Sequence, residues 1–402
     1  LTFSCPKAKI YTAHIYTLLQ LFLQEPVVSK WPDKFIIGLT GNIATGKSVV
    51  RKMLEHLGAY GIDADSLSHR AIAKGAPGYQ PAIDAFGKWI LGPDGEIDRT
   101  KLSKLAFNDS EAMARLEDII HPLVGQAIDM MVKRATQRVI VIEAIKLFES
   151  EIRTYCDSIW VVNVPAEVQV RRLMEKRNMS KDEAEQRIHF QSAQKQKVDA
   201  AQVVIQNTGS FEETWKQVVV KWKEITPQSD TIQMVKPTTG DFTIARGRPR
   251  DSQAIAELIT RLSKGVKKLE ADDVMAAFGE KAFMLLQLNG KPVGVAGWQV
   301  ENLVARTTEF FIDTSVEMEK ALNTLVTEVE RASTDLQCEA SLFFLPPELT
   351  SHQAVWKQLG YEAREPNTLG VPAWKDAAIE CSQPNTTLFF KQLRQDRVLR
   401  PI

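Results

Sequence analysis

The sequence of 402 residues has little of what marks a secreted, metal-held or membrane-bound chain. Its four cysteines, Cys5, Cys156, Cys338 and Cys381, show no C-x-x-C spacing, so neither a disulfide framework nor a zinc site is expected, and a reducing cytoplasm fits. The six histidines form no ligand cluster in the sequence. Neither sign of charge is in surplus, because 50 Lys plus Arg balance 50 Asp plus Glu. No nucleic-acid or membrane-surface partner is therefore expected. Long apolar runs are missing too. The stretch Ile10–Leu23 is broken by His14 and Gln20 and lacks a small-residue cleavage site, so it reads as neither a membrane span nor a signal peptide. The sequence begins at Leu1 rather than Met, and residues 1–33 read as an extension without chemistry. Internal repeats and low-complexity tracts are lacking as well.

What is present is an ordinary globular composition, 44% apolar and 25% charged, on a chain too long for one core. Two domains are expected. The first, residues 34–225, alternates strands with helices: strands at Phe35–Leu39, Tyr60–Asp63, Val139–Ile142, Ser158–Val164 and Val203–Ile205, and helices near Lys47–Leu57 and Phe211–Lys223 among others. That alternation predicts an α/β fold with a parallel sheet covered on both faces. Residues 226–241 are rich in Pro, Gly, Ser, Thr and Gln without apolar periodicity and read as a linker. Beyond it, residues 242–402 predict an α+β domain. Its strands fall at Phe242–Ala245, Phe283–Leu288, Pro292–Val300, Thr307–Ile312, Ala340–Leu345 and Thr387–Phe390, and Asn289-Gly290 signals a hairpin. Helices are expected at Asp251–Leu262, Ser315–Arg331 and Gln353–Leu359.

Residues Gly41, Asn42, Ile43, Ala44, Thr45, Gly46, Lys47 and Ser48 match G-x-x-x-x-G-K-[ST], with a strand before and an amphipathic helix, starting with Val49, after. Glycines let successive N–H groups turn toward one anion, and the helix N-terminus adds its positive dipole end. Lys47 supplies a cation for the outer phosphates and Ser48 a hydroxyl for magnesium. The pattern predicts binding of a nucleoside triphosphate with Mg2+, but not which reaction follows. The next strand ends in Gly61-Ile62-Asp63-Ala64-Asp65. Ligands of a parallel sheet bind outside the carboxyl ends of strands, so Asp65 is a candidate base and magnesium-orienting group. On the residues alone, a helix-capping role for Asp65 stands equally open, and for Asp63 the cap is favoured.

The string F-I-I-G-L-T-G-N-I-A-T-G-K-S, followed by I-D-A-D-S-L-S-H-R, resembles the dephospho-coenzyme A kinase family. So do G-A-P-G-Y, D-A-F-G-K, D-G-E-I-D-R-T-K-L, Leu116–Pro122, Leu147-Phe148-Glu149, Arg172-Leu173, Arg187–Gln191 and Val203–Asn207, all in order over about residues 34–224. The resemblance implies transfer of the γ-phosphate of ATP to the ribose 3′-hydroxyl of dephospho-coenzyme A, the last step of coenzyme A synthesis. It implies that Asp65 is the catalytic base and that Arg172 is a lid arginine reaching the transferring phosphates. Lys176 or Arg177 would be the second lid cation. His121 and Arg187 would be substrate-side residues, although His121-Pro122 also reads as a helix start. Another small-molecule or nucleotide kinase is the rival reading, and a non-catalytic ATP switch a more distant one. This sequence departs from the family pattern at Ile145-Lys146, where a Pro-Leu pair is usual, and at Gln202, where Asp is usual.

The second domain resembles, in element order and in the string Trp356–Tyr361, the GNAT acetyltransferase fold. Its expected pyrophosphate turn, Asp313–Lys320, has no glycine and carries Glu317 and Glu319. Side chains and charge would keep an anion away. The expectation is a degenerate domain that binds a partner, dimerises or regulates, or a bare scaffold, rather than an active acetyltransferase.

Overall fold

A computed structural model describes residues 30–189, 191, 193–226, 241–396 and 398 of the chain. Five strands form the first sheet: β1 (Phe35–Thr40), β2 (Tyr60–Asp63), β3 (Val139–Glu143), β4 (Ser158–Asn163) and β5 (Val203–Gln206). All pairs are parallel, in the order β2-β3-β1-β4-β5. Strand β1 is buried on both faces, which explains its unbroken apolar run. On one face Ile36 packs with Tyr60, Ile62 and Ile140. On the other, Ile37 and Leu39 meet Val50, Met53 and Leu54 of the helix Lys47–His56, together with Trp160. The carboxyl ends of β1, β2 and β3 open on one edge, and the chain leaves each there into a loop or helix.

The expected elements of this half are present with ends shifted by one or two residues. One reading is corrected. His121-Pro122 does not start a helix, because Pro122 lies inside the single helix Ser110–Arg134. Asp109 caps that helix, its side chain accepting from Glu111 and Ala112 N–H groups. Apolar residues Val124, Ala127, Ile128, Met131 and Val132 recur on its buried face, which carries the helix past the proline.

The second half forms a sheet of seven strands. They are β6 (Phe242–Arg246), β7 (Ala282–Leu288), β8 (Lys291–Glu301), β9 (Val304–Ile312), β10 (Ala340–Leu345), β11 (Glu362–Ala363) and β12 (Thr387–Gln392), in the order β11-β12-β10-β9-β8-β7-β6. Pairing is antiparallel except between β9 and β10, which run parallel over Val304–Thr307 and Ala340–Phe343. The hairpin at Asn289-Gly290 is present, with left-handed φ of 52° and 76°. A second tight hairpin, not expected, joins β8 to β9 through Asn302 and Leu303, and β9 begins at Val304 rather than Thr307. The helix expected from Ser315 begins at Met318, because Asp313 turns the chain by accepting from Ser315 N–H at 3.0 Å. Of the linker reading, residues 227–240 lie outside the described residues.

The halves touch. Leu303 and Val398 join the apolar cluster of Tyr60, Ile62, Leu67 and Met131, and Phe278 stacks edge-on against His56 at 5.8 Å between ring centres. No helix among the described residues is long and apolar enough to cross a membrane.

Candidate active site

Strand β1 delivers the chain to Gly41, whose φ is 145°. A Cβ there would stand 2.5 Å from the Val162 carbonyl oxygen. Gly46 caps the helix Lys47–His56 with φ 91°, and a Cβ there would meet Asn207 Nδ2 at 2.1 Å. Side chains fit at neither position, which is why the loop needs these two glycines. Ala44 takes a left-handed φ of 60° without that freedom. Asn207 Nδ2 donates to the Thr45 carbonyl at 2.8 Å, and Thr214 Oγ1 holds Asn207 Oδ1 at 3.0 Å, so the loop is fixed from outside.

Two loop N–H groups are taken by glutamines of the lid region. Asn42 N–H donates to Gln194 Oε1 at 2.9 Å and Ile43 N–H to Gln191 Oε1 at 2.8 Å. Neutral amide oxygens thus stand where the loop offers donors to an anion. Gln191 belongs to the lid resemblance, whereas Gln194 was not singled out, because a polar residue in a charged helical stretch carries no local signal.

Lys47 is buried, with Nζ 3.4 Å from the Asn42 carbonyl. Burial lowers its proton affinity; Glu143, Asp65 and Asp63 oppose that effect, and the charge of Arg177 adds to it. Ser48 Oγ donates to Glu143 Oε1 at 2.9 Å, and Arg51 Nε donates to Glu143 Oε2 at 2.7 Å. Arg51 also pairs with Glu55 at 2.6 Å. Burial pulls the Arg51 guanidinium down, but Glu55, Glu143 and Asp63 outweigh it and hold it charged. Glu143 escaped the sequence reading, which ended β3 one residue earlier. An acid closing an apolar strand at the ligand edge was the available signal.

The two roles left open for the aspartates separate here. Asp63 is the cap of the helix Ala64–Ala71, its Oδ1 accepting from Ser66 N–H at 2.9 Å. Asp65 stands in the first turn instead, with Oδ2 accepting from Ile145 N–H at 3.2 Å. Burial, and after it the charge of Asp63, push the Asp65 carboxyl up to about 6, against the pull of Lys47 and of the Ile145 N–H. Lys197, also not foreseen, is buried with Nζ 2.9 Å from the Ile145 carbonyl, within electrostatic reach of Asp65 and Lys47.

Arg172 reaches the loop from the helix Ala166–Arg177. Its NH1 donates to Ala44 and Thr45 carbonyls at 3.2 and 3.3 Å, and NH2 to the Asn207 carbonyl at 2.7 Å. His121 and Arg187 are exposed, and among the described residues no hydrogen bond joins them to Lys47, Ser48 or Asp65. Lys146 pairs with Glu117 at 2.8 Å on the surface. Among the described residues no three His, Cys, Asp or Glu side chains are gathered to hold a metal ion. The oxygen donors at hand are Ser48, Glu143 and Asp65. A hydroxyl and carboxylates suit a hard cation such as magnesium, which takes few protein ligands and completes its shell with phosphate and water.

A family model for dephospho-CoA kinase matches residues 35–213. The chain is 45% identical over 194 residues to a dephospho-CoA kinase of Carboxydothermus hydrogenoformans, covering 47% of this chain and 94% of that one. It is 42% identical over 195 residues to the enzyme of Geobacter sulfurreducens, covering 48% of this chain and 99% of that one. A GNAT-family acetyltransferase structure from Staphylococcus aureus matches 38% of this chain and all of its own length, at 14% identity and a TM-score of 0.32.

Proposed function

The chain belongs to the dephospho-CoA kinase family, and we propose how its own residues carry out the reaction. It transfers the γ-phosphate of ATP to the ribose 3′-hydroxyl of dephospho-coenzyme A. One observation carries the assignment of the base: Asp63, not Asp65, caps the helix, which leaves Asp65 facing Lys47 at the carboxyl edge of the sheet with a raised proton affinity. Asp65 takes the proton of the attacking hydroxyl. A base of that strength is matched to neutral pH, since it is ionised yet still basic.

The phosphate loop, Gly41–Ser48, receives the triphosphate on its N–H groups, with Gln191 and Gln194 giving up the positions that anionic oxygens take. Lys47 meets the outer phosphates. Burial strengthens this cation's field at the transferring group. Arg172, held against the loop through its carbonyls, is the lid arginine that reaches the transferring phosphates. Lys176 or Arg177 supplies the second lid cation. Magnesium, when bound, neutralises charge on the phosphate oxygens, and Ser48, Glu143 and Asp65 are the residues that would hold or orient it. Val49 closes the loop at the first turn of its helix. The unit comprises residues 34–225, with 242–402 as a second domain of GNAT-like strand order.

Asp65→Asn keeps size and shape but cannot accept the proton. Turnover should fall by about 10²–10⁴-fold while ATP binding, read by calorimetry, persists. Undiminished turnover would remove Asp65 from the chemistry.

A further inference from the structure

The second half grips the two helices that begin at the active site, and it does so at their far ends. The helix Lys47–His56 starts with Lys47 and Ser48; toward its end Lys52 Nζ donates to the Val300 carbonyl at 2.8 Å, and His56 Nε2 pairs with the Phe278 carbonyl at 2.9 Å. The helix Ala64–Ala71 starts beside Asp65; near its end Arg70 NH1 donates to the Asn302 carbonyl at 2.7 Å, and its NH2 pairs with the buried Glu339. Val300 through Leu303 form the tip of the hairpin between β8 and β9. Between the two helices this tip lines a narrow cleft with Arg51, Glu55, Asp63 and Ser66.

The tip is built in an unfavourable way for a free hairpin. Asn302 and Leu303 both take left-handed φ, 51° and 60°. Asn tolerates that region, whereas a branched apolar side chain rarely enters it. Leu303 nonetheless sits there, 9% exposed, within the core cluster of the kinase half. Strain at a position fixed by a neighbouring unit points to a role for the contact. From the tip a continuous polar chain reaches the phosphate site. Val300 holds Lys52, Lys52 holds Glu55 at 2.9 Å, Glu55 holds Arg51 at 2.6 Å, Arg51 holds Glu143 at 2.7 Å, and Glu143 holds Ser48 at 2.9 Å. The family model matches residues 35–213 and the relatives match 47% and 48% of this chain, so the tip lies in a part of this chain beyond the family match.

We propose that the Val300–Leu303 tip is an internal positioning element of the kinase, setting the spacing of the two helices and thereby the placement of Ser48 and Asp65 around the transferring phosphate. It rests on the site residues proposed above. Its residues touch no reacting atom.

The test uses the full chain carrying Leu303→Gly, Leu303→Met or Lys52→Met. Glycine suits the left-handed φ, so the hairpin keeps its backbone while the wedge is lost. Methionine keeps the apolar volume, and Lys52→Met keeps the stem but removes the ammonium that bonds both the Val300 carbonyl and Glu55. For each variant, thermal midpoint, kcat per active site and KM for ATP are measured. Coupling of this kind changes kcat by about 3- to 30-fold. Leu303→Gly and Lys52→Met should show that loss with KM for ATP within about twofold, and Leu303→Met should stay near the parent. A folded Leu303→Gly with parental kcat per active site overturns the proposal. If Leu303→Gly does not fold, Leu303→Ala, which trims the wedge less, takes its place: parental kcat overturns the proposal and a fall in that range supports it. The two readings fail separately, since a wrong base shows in Asp65→Asn and a wrong tip shows in these variants.

Discussion

Asp65 sits between opposing influences. Burial and Asp63 favour its proton; Lys47 and the Ile145 N–H oppose it, and the result is a carboxyl pushed up to about 6. Only the ionised form can accept a proton, so kcat/KM for the acceptor should fall with falling pH through about 6. The Ile145 N–H donates to Asp65 Oδ2, and a proline in its place would have no N–H to give. Ile145→Pro therefore removes one of the groups that pull the carboxyl down. The acidic limb of the pH profile should move to higher pH, and a limb that stays or moves down would show that the N–H does not govern Asp65. The Ile145 carbonyl, in the next peptide group, accepts from Lys197 Nζ and Thr40 Oγ1 at 2.9 and 3.2 Å, so the backbone of one residue orders three side chains at the site.

At the scale of elements, the phosphate loop is held by its surroundings as much as by its own sequence. Gly46 is the sharpest case, because its φ of 91° and the Asn207 amide at 2.1 Å from a built Cβ both reject a side chain. Gly46→Ala should lower stability by about 1–3 kcal/mol and weaken ATP binding, read by a thermal melt with and without nucleotide. A variant with parental stability and affinity would mean that Asn207 and the loop shift freely. Loop, strand β1 and helix are legible in the sequence because the signals are local: glycines, lysine and apolar period lie within fifteen residues of each other, about the window that periodicity needs. Glu143, Gln194 and Lys197 were not legible, since what makes them part of the site is the parallel register that carries β3 and the lid to the loop. Pro122 misled because a proline after a polar residue usually opens a helix, and here packing of Val124 through Val132 overrides that preference. The hairpin at Asn302-Leu303 was missed for the same reason of scale. Its second residue is not the glycine that a turn of this type favours, and only the contact with the other half accounts for it.

At the scale of the whole molecule, residues 226–241 read as a linker between two domains. The contact through Leu303, Val398, Phe278 and Gln337, whose Nε2 donates to the Met131 carbonyl at 2.8 Å, makes the second half part of the kinase's surroundings. In that second half, Asp313 Oδ1 accepts from the Ser315 N–H at 3.0 Å and from the Ser315 hydroxyl at 2.7 Å. The reaction itself is tested by product analysis. The full chain is incubated with ATP, magnesium and dephospho-coenzyme A, and in parallel with a panel of nucleoside monophosphates, and phosphorus NMR and mass spectrometry identify what is phosphorylated. The account predicts a new phosphate monoester on the ribose 3′-hydroxyl of dephospho-coenzyme A. Phosphorylation of a nucleoside monophosphate with dephospho-coenzyme A left unchanged would contradict it.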